Sequence, residues 1–147
     1  MAAPKITWQV KDDNFTEEYI PTRNYTEEGS FTSGEYVQKK LRVWNNYNGA
    51  SDVSNAINCN LVLAFKNYED NFLLHLINVK VGNNDWAYPN IDTDRGVIEM
   101  KDLSGLANNG SLANAENYCD IEVRIGPLPA NMKCELKSLY FYLEYNK

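Results

Sequence analysis

The sequence predicts an all-β protein: a single-domain antiparallel β-sandwich, Ig-like or jelly-roll, with about seven or eight strands. Three observations predict it. Apolar residues recur at every second position, as in Cys59, Leu61, Leu63 and Phe65 and again in Cys119, Ile121, Val123 and Ile125, which is the pattern of half-buried strands. Clusters of Asn, Gly and Pro punctuate these runs with turn signals. No stretch shows a sustained helical period. The length of 147 residues suits one domain, residues 1–147, with a core large enough to need no disulfide or metal staple.

The elements follow in order. Lys5 to Val10 reads as a first strand, with Ile6, Trp8 and Val10 on one parity. Residues 12–34 are polar and acidic, with Pro21, Gly29 and Gly34 as breakers. They are expected to lie as an extended arm or edge strand, with one short strand near Phe15 to Ile20. Glu35 to Trp44 is a strand whose Lys39-Lys40 pair suits an exposed edge; Leu41 and Val43 point one way, Arg42 and Trp44 the other. Asn45 to Gly49 stops it, and Cys59 to Phe65 forms the next strand after a wide loop.

Lys66 to Asn71 is expected to turn. Phe72 to Val81 is the longest apolar run. Its pattern allows a helix, but its β-branched end and the following Gly82-Asn83-Asn84 favour a central strand, covered on both faces or meeting another subunit with one of them. His75 would then be a structural histidine within that strand. Asp85 to Gly96 is a loop, Val97 to Met100 a short strand and Ser104 to Asn117 a long loop rich in Gly, Ala and Asn. Tyr118 to Ile125 is a strand ended by Gly126-Pro127-Leu128-Pro129, because proline cannot continue a ladder. Cys134 to Tyr145 is the last strand, with Tyr140 and Tyr142 opposite Leu139, Phe141 and Leu143.

Composition narrows the function classes. A formal net charge of -6 argues against duplex nucleic acid and against an anionic membrane as partners. The first residues, Met1-Ala2-Ala3-Pro4-Lys5-Ile6, show no secretory h-region, and the apolar runs are too short to span a bilayer, so synthesis in a cytoplasm is expected. Cys59, Cys119 and Cys134 are widely spaced and sit on strand-like patterns. They are expected to be buried free thiols, with no zinc cluster.

No catalytic constellation stands out, and neither a metal nor a cofactor is expected. His75 is the only histidine and no Gly-x-Ser-x-Gly elbow accompanies it. Asp92-Thr93-Asp94-Arg95-Gly96 has the carboxylate spacing of part of a calcium loop, but lacks its closing Glu and reads as a solvated turn. Trp86 and Tyr88, beside Asp85 and Asn90, either form a sugar platform or pack a loop against the sandwich or a neighbour. The candidate interface or glycan contacts are therefore Trp44, Trp86, Tyr88, Tyr140 and Tyr142.

Three patches carry a resemblance: Pro4-Lys5-Ile6-Thr7-Trp8; Arg42-Val43-Trp44-Asn45-Asn46 followed by Asp52-Val53 and Asn58-Cys59; and Leu103-Ser104-Gly105-Leu106-Ala107-Asn108 followed by Asn117-Tyr118 and Pro129-Ala130-Asn131. In this order the sequence resembles a family of small tailed-phage and prophage virion structural proteins. The resemblance implies a non-enzymatic tail, neck or head accessory or decoration protein. It would be made in the host cytoplasm and located on the virion, docked in many copies to other virion proteins and to copies of itself. The alternative is a carbohydrate-binding module for adsorption to host-surface glycan. Residues 12–34, Phe72 to Val81 and Cys134 to Tyr145 depart from the family pattern.

Overall fold

The computed structural model describes residues 1–10, 25–27, 30–32, 37–127, 133–135 and 139–146. Among them are eleven strands: β1 Ile6–Val10, β2 Tyr25–Glu27, β3 Ser30–Thr32, β4 Val37–Asn45, β5 Ile57–Phe65, β6 Ile77–Val81, β7 Asn90–Asp92, β8 Arg95–Glu99, β9 Tyr118–Ile125, β10 Lys133–Glu135 and β11 Leu139–Asn146. Four of these are three residues long, and the other seven match the expected number.

Two antiparallel sheets make the sandwich. One has the order β1-β4-β9-β6 and the other β2-β11-β5-β8-β7, while β3 and β10 pair as a separate ribbon. The inward parity of each long strand is apolar. Leu41 and Val43 of β4 lie beside Ile121 and Cys119 of β9, and Leu61 and Leu63 of β5 beside Leu143 and Phe141 of β11. These residues, with Trp8 and with Ile77, Val79 and Val81 of β6, form one buried cluster between the sheets. Removing that much apolar surface from water is the main force holding the sheets face to face.

The chain crosses repeatedly between the two sheets. Among the described residues, β7 and β8 are the only consecutive strands that pair with each other. The chain passes to the opposite sheet from β4 to β5, from β5 to β6, from β6 to β7 and from β8 to β9. An immunoglobulin sandwich keeps several consecutive strand pairs within a sheet, so the path departs from that variant.

The run Phe72 to Val81 differs from its expected form. Tyr68–Leu76 is a 3-10 helix and only Ile77–Val81 is strand. The burial fits this form: Leu73 and Leu74 are both sequestered while Phe72 and His75 on either side of them are exposed, a pattern of neither period-two parity. A three-residue period produces it. It turns Leu73 and Leu74 inward and stacks Glu69, Phe72 and His75 on the outer ridge, where all three are exposed. His75 is therefore an exposed helical residue, not a histidine within a strand.

Smaller differences follow turn chemistry. The expected loop Asp85 to Gly96 contains β7 and the tight turn into β8, with Thr93 in the left-handed region at φ 59°. The expected single strand Cys134 to Tyr145 is two separate strands, β10 and β11. Within residues 12–34, β2 pairs with β11 and β3 with β10; the strand expected near Phe15 to Ile20 lies outside the described residues.

Candidate binding surfaces

The loops at one end of the sandwich are joined by asparagines. Asn45, Asn46 and Asn117 are buried, so every polar atom they carry needs a partner. The Asn45 side chain accepts from the Lys5 backbone N–H (2.9 Å) and donates to the Ser54 and Leu103 carbonyls. Asn46 adopts φ 57°, where asparagine is tolerated, and donates to the Ser51 and Gly105 carbonyls at 2.9 Å each. Asn117 donates to the carbonyls of Asn45, Ser104 and Leu106. Asn108 donates to Asn46 O at 2.7 Å, and its Oδ1 accepts from the Asn48 and Gly110 N–H groups. The Asp52 carboxylate accepts from Ala107 N–H and the Asn55 amide oxygen from Gly105 N–H. The first residues, the loop after β4 and the loop before β9 thus meet in one polar junction.

Trp44 leads out of this junction onto the outer face of the four-stranded sheet, yet it is 1% exposed. Its indole N–H donates to Gln9 Oε1 at 2.9 Å, and its ring packs against Tyr47 and Tyr118 at centroid distances of 4.8 and 4.7 Å. Arg42 stacks 4.4 Å above Tyr118 and binds both carboxylate oxygens of Asp120. Trp44 is a structural residue here and is not available as a contact.

Trp86 and Tyr88 flank Ala87, which exchanges two backbone hydrogen bonds with Val79 and so covers part of the β6 edge. An extended backbone puts residues two apart on the same side. Trp86 is half-buried with its ring 4.7 Å from the Arg124 guanidinium, whereas Tyr88 is 68% exposed. The packing of Trp86 on Arg124 is the loop-anchoring role; Tyr88 is free of it.

Tyr140 and Tyr142 lie on the opposite side of the molecule, on the outer face of the five-stranded sheet. Their rings stack at 5.9 Å. Val62 and Ala64, their register partners on β5, are buried. Arg95 reaches across from β8 to donate to the Tyr142 hydroxyl (3.1 Å) and the Glu144 carboxylate (2.9 Å). Those two bonds, Glu144 first, push the Arg95 guanidinium further toward its charged form. Burial, reinforced by Tyr142 and Asp94, pushes the Tyr140 hydroxyl up.

The five sequence-predicted residues therefore fall on three separate places. A fourth place went unread in the sequence: an open groove between the 3-10 helix and the β7–β8 hairpin, lined by Phe72, Leu74 and Ile91 among others. Phe72 is 41% and Ile91 39% exposed. The signal for it was the Glu69, Phe72, His75 spacing of three, hidden inside a run that reads equally as a strand.

Cys59 and Cys119 are buried free thiols. Burial, then the charge of Asp102, pushes Cys59 up to about 11. Burial does the same to Cys119, also to about 11. The side chain of Cys134 lies outside the described residues. Among the described residues no group of three or more His, Cys, Asp or Glu is placed to hold a metal ion, and no helix is long and apolar enough to cross a membrane.

No family model matches the sequence, and no curated protein matches it. Among solved structures the chain is similar to the one described as "AvmM Catalyzes Macrocyclization in Alchivemycin A Biosynthesis", with a TM-score of 0.35 and 14% identity over 71% of this chain. The match spans 66% of that chain, just under two thirds of its length. A likeness at this level carries no argument about either fold or chemistry.

Proposed function

We propose that this chain is a non-enzymatic structural module of a tailed-phage particle, working by docking to neighbouring virion proteins and to its own copies. The observation that supports docking is the distribution of exposed apolar side chains. Tyr88 stands out beside the β6 edge, Phe72 and Ile91 from the groove, and Leu106 and Leu112 from the polar junction, at 59% and 63% exposure. Several such places on one small domain allow several weak contacts, which many copies on one particle multiply into firm attachment. The virion assignment rests on the residue resemblance alone.

The test is incorporation. The tagged chain, expressed during assembly of tailed particles, should co-sediment with purified particles at a fixed ratio to the major proteins. A chain that stays wholly in the soluble fraction with every particle tried would overturn the reading.

Carbohydrate binding is the second reading, favoured by one observation: Tyr88, two residues from the half-buried Trp86, is largely exposed. Because Trp8 and Trp44 are buried while Trp86 is half-buried, a glycan on this site would change the fluorescence of Trp86 alone. Soluble glycans should quench it, and Trp86→Ala should remove the response while leaving the fold intact.

A further inference from the structure

We infer that the groove between the 3-10 helix and the β7–β8 hairpin is a docking site for an extended segment of a partner protein, one that carries a large apolar side chain flanked by lysine or arginine. The inference deepens the docking function proposed above and rests on it. Each wall contributes the same pair of chemistries. The 3-10 helix offers Glu69 and, one turn on, Phe72; the hairpin offers Ile91 and Asp94. Leu74, almost completely buried, lies behind them. Two exposed apolar side chains facing one groove are an unpaid hydrophobic surface until something apolar enters. The carboxylates select what may flank it: apart from His75, no basic side chain is among the described lining residues, and the whole chain is acidic at a formal -6. A cationic segment is the complementary one.

Asn71, in the middle of the 3-10 helix, is among the lining residues as well. The segment that holds it is a nine-residue 3-10 helix, longer than such helices usually run, and so the kind of element that contacts from a partner would stabilise.

The experiment uses the full chain and two short fluorescent peptides, acetyl-Lys-Arg-Leu-Lys-Arg-amide and its counterpart with glutamate at each basic position. Anisotropy should show saturable binding of the basic peptide, weakened at least about tenfold by Phe72→Ser and by Asp94→Lys and weakened by added salt. The acidic peptide should not bind. Both variants change exposed side chains, and circular dichroism checks their folding; if Phe72→Ser fails to fold, Ile91→Ser takes its place. No saturable binding of the basic peptide, or equal binding by the variants, overturns the groove. Particle incorporation separates this outcome from the function itself. A chain that co-sediments with particles equally well as wild type and as Phe72→Ser docks by another surface. One that binds the basic peptide but never joins a particle keeps its groove and loses the virion assignment.

Discussion

A Cβ added at Gly105 would lie 2.1 Å from the Val53 carbonyl oxygen, and one at Gly49 2.0 Å from Asn46 Oδ1. Backbone cannot give way as a flexible side chain can, so Gly105→Ala should destabilise the fold by roughly 3 kcal/mol. Asn46→Ala should cost about 1–3 kcal/mol by leaving buried carbonyls unpaired. Chemical denaturation measures both. The cysteines make a prediction of opposite visibility. Well below pH 9 both thiols are protonated, folded or unfolded, and they add no pH dependence there. Between the ordinary value of 9.0 and about 11 the unfolded thiols release protons that the buried ones retain, so the unfolded state gains and stability falls as pH rises across that window. Replacing both with Ala or Val should flatten this part of the stability profile. In the native protein near neutral pH, Cys59 and Cys119 should label slowly with thiol reagents.

Among the elements, β9 and β11 were legible because each alternates buried and half-exposed residues, so a period of two is written into the side chains; β4 and β5 keep that period on their core-facing side, although Trp44, Val62 and Ala64 on the outer side are buried too. Trp44 was misjudged for the same reason. Parity says which way a residue points, and cannot say that Tyr47 and Tyr118 will cover it. The 3-10 helix was illegible because Phe-Leu-Leu-His-Leu-Ile buries residues at a period that fits neither simple template; the tie was settled by the core, which accepts Leu73 and Leu74 together. That settles a test as well. Leu73→Ala and Leu74→Ala should each cost about 2–5 kcal/mol, as buried leucines do, whereas Phe72→Ala should cost little. A strand through these residues would make one of the two leucine substitutions cheap. The asparagine junction was only half legible: its turn-forming residues announced loops, but nothing in the local pattern told that the loop after β4 would be stitched to the one before β9.

For the molecule as a whole, the path of the chain has a consequence for how it comes to fold. Among the described strands only β7 and β8 pair with their sequence neighbour; β4 must find β9, and β5 must find β11. The junction repeats this demand, since the Asn108 amide meets the Asn46 carbonyl from 62 residues away. Each such closure spends chain entropy before any contact rewards it. A nascent fragment ending before β9 would hold β4 without its central partner and expose the ladder edge that β9 later covers. Refolding from denaturant should accordingly be slow for a domain of this size, on the order of milliseconds to seconds. Stopped-flow fluorescence should show Trp44 reaching its native environment only with the main phase, since Tyr118, at the start of β9, has to arrive first.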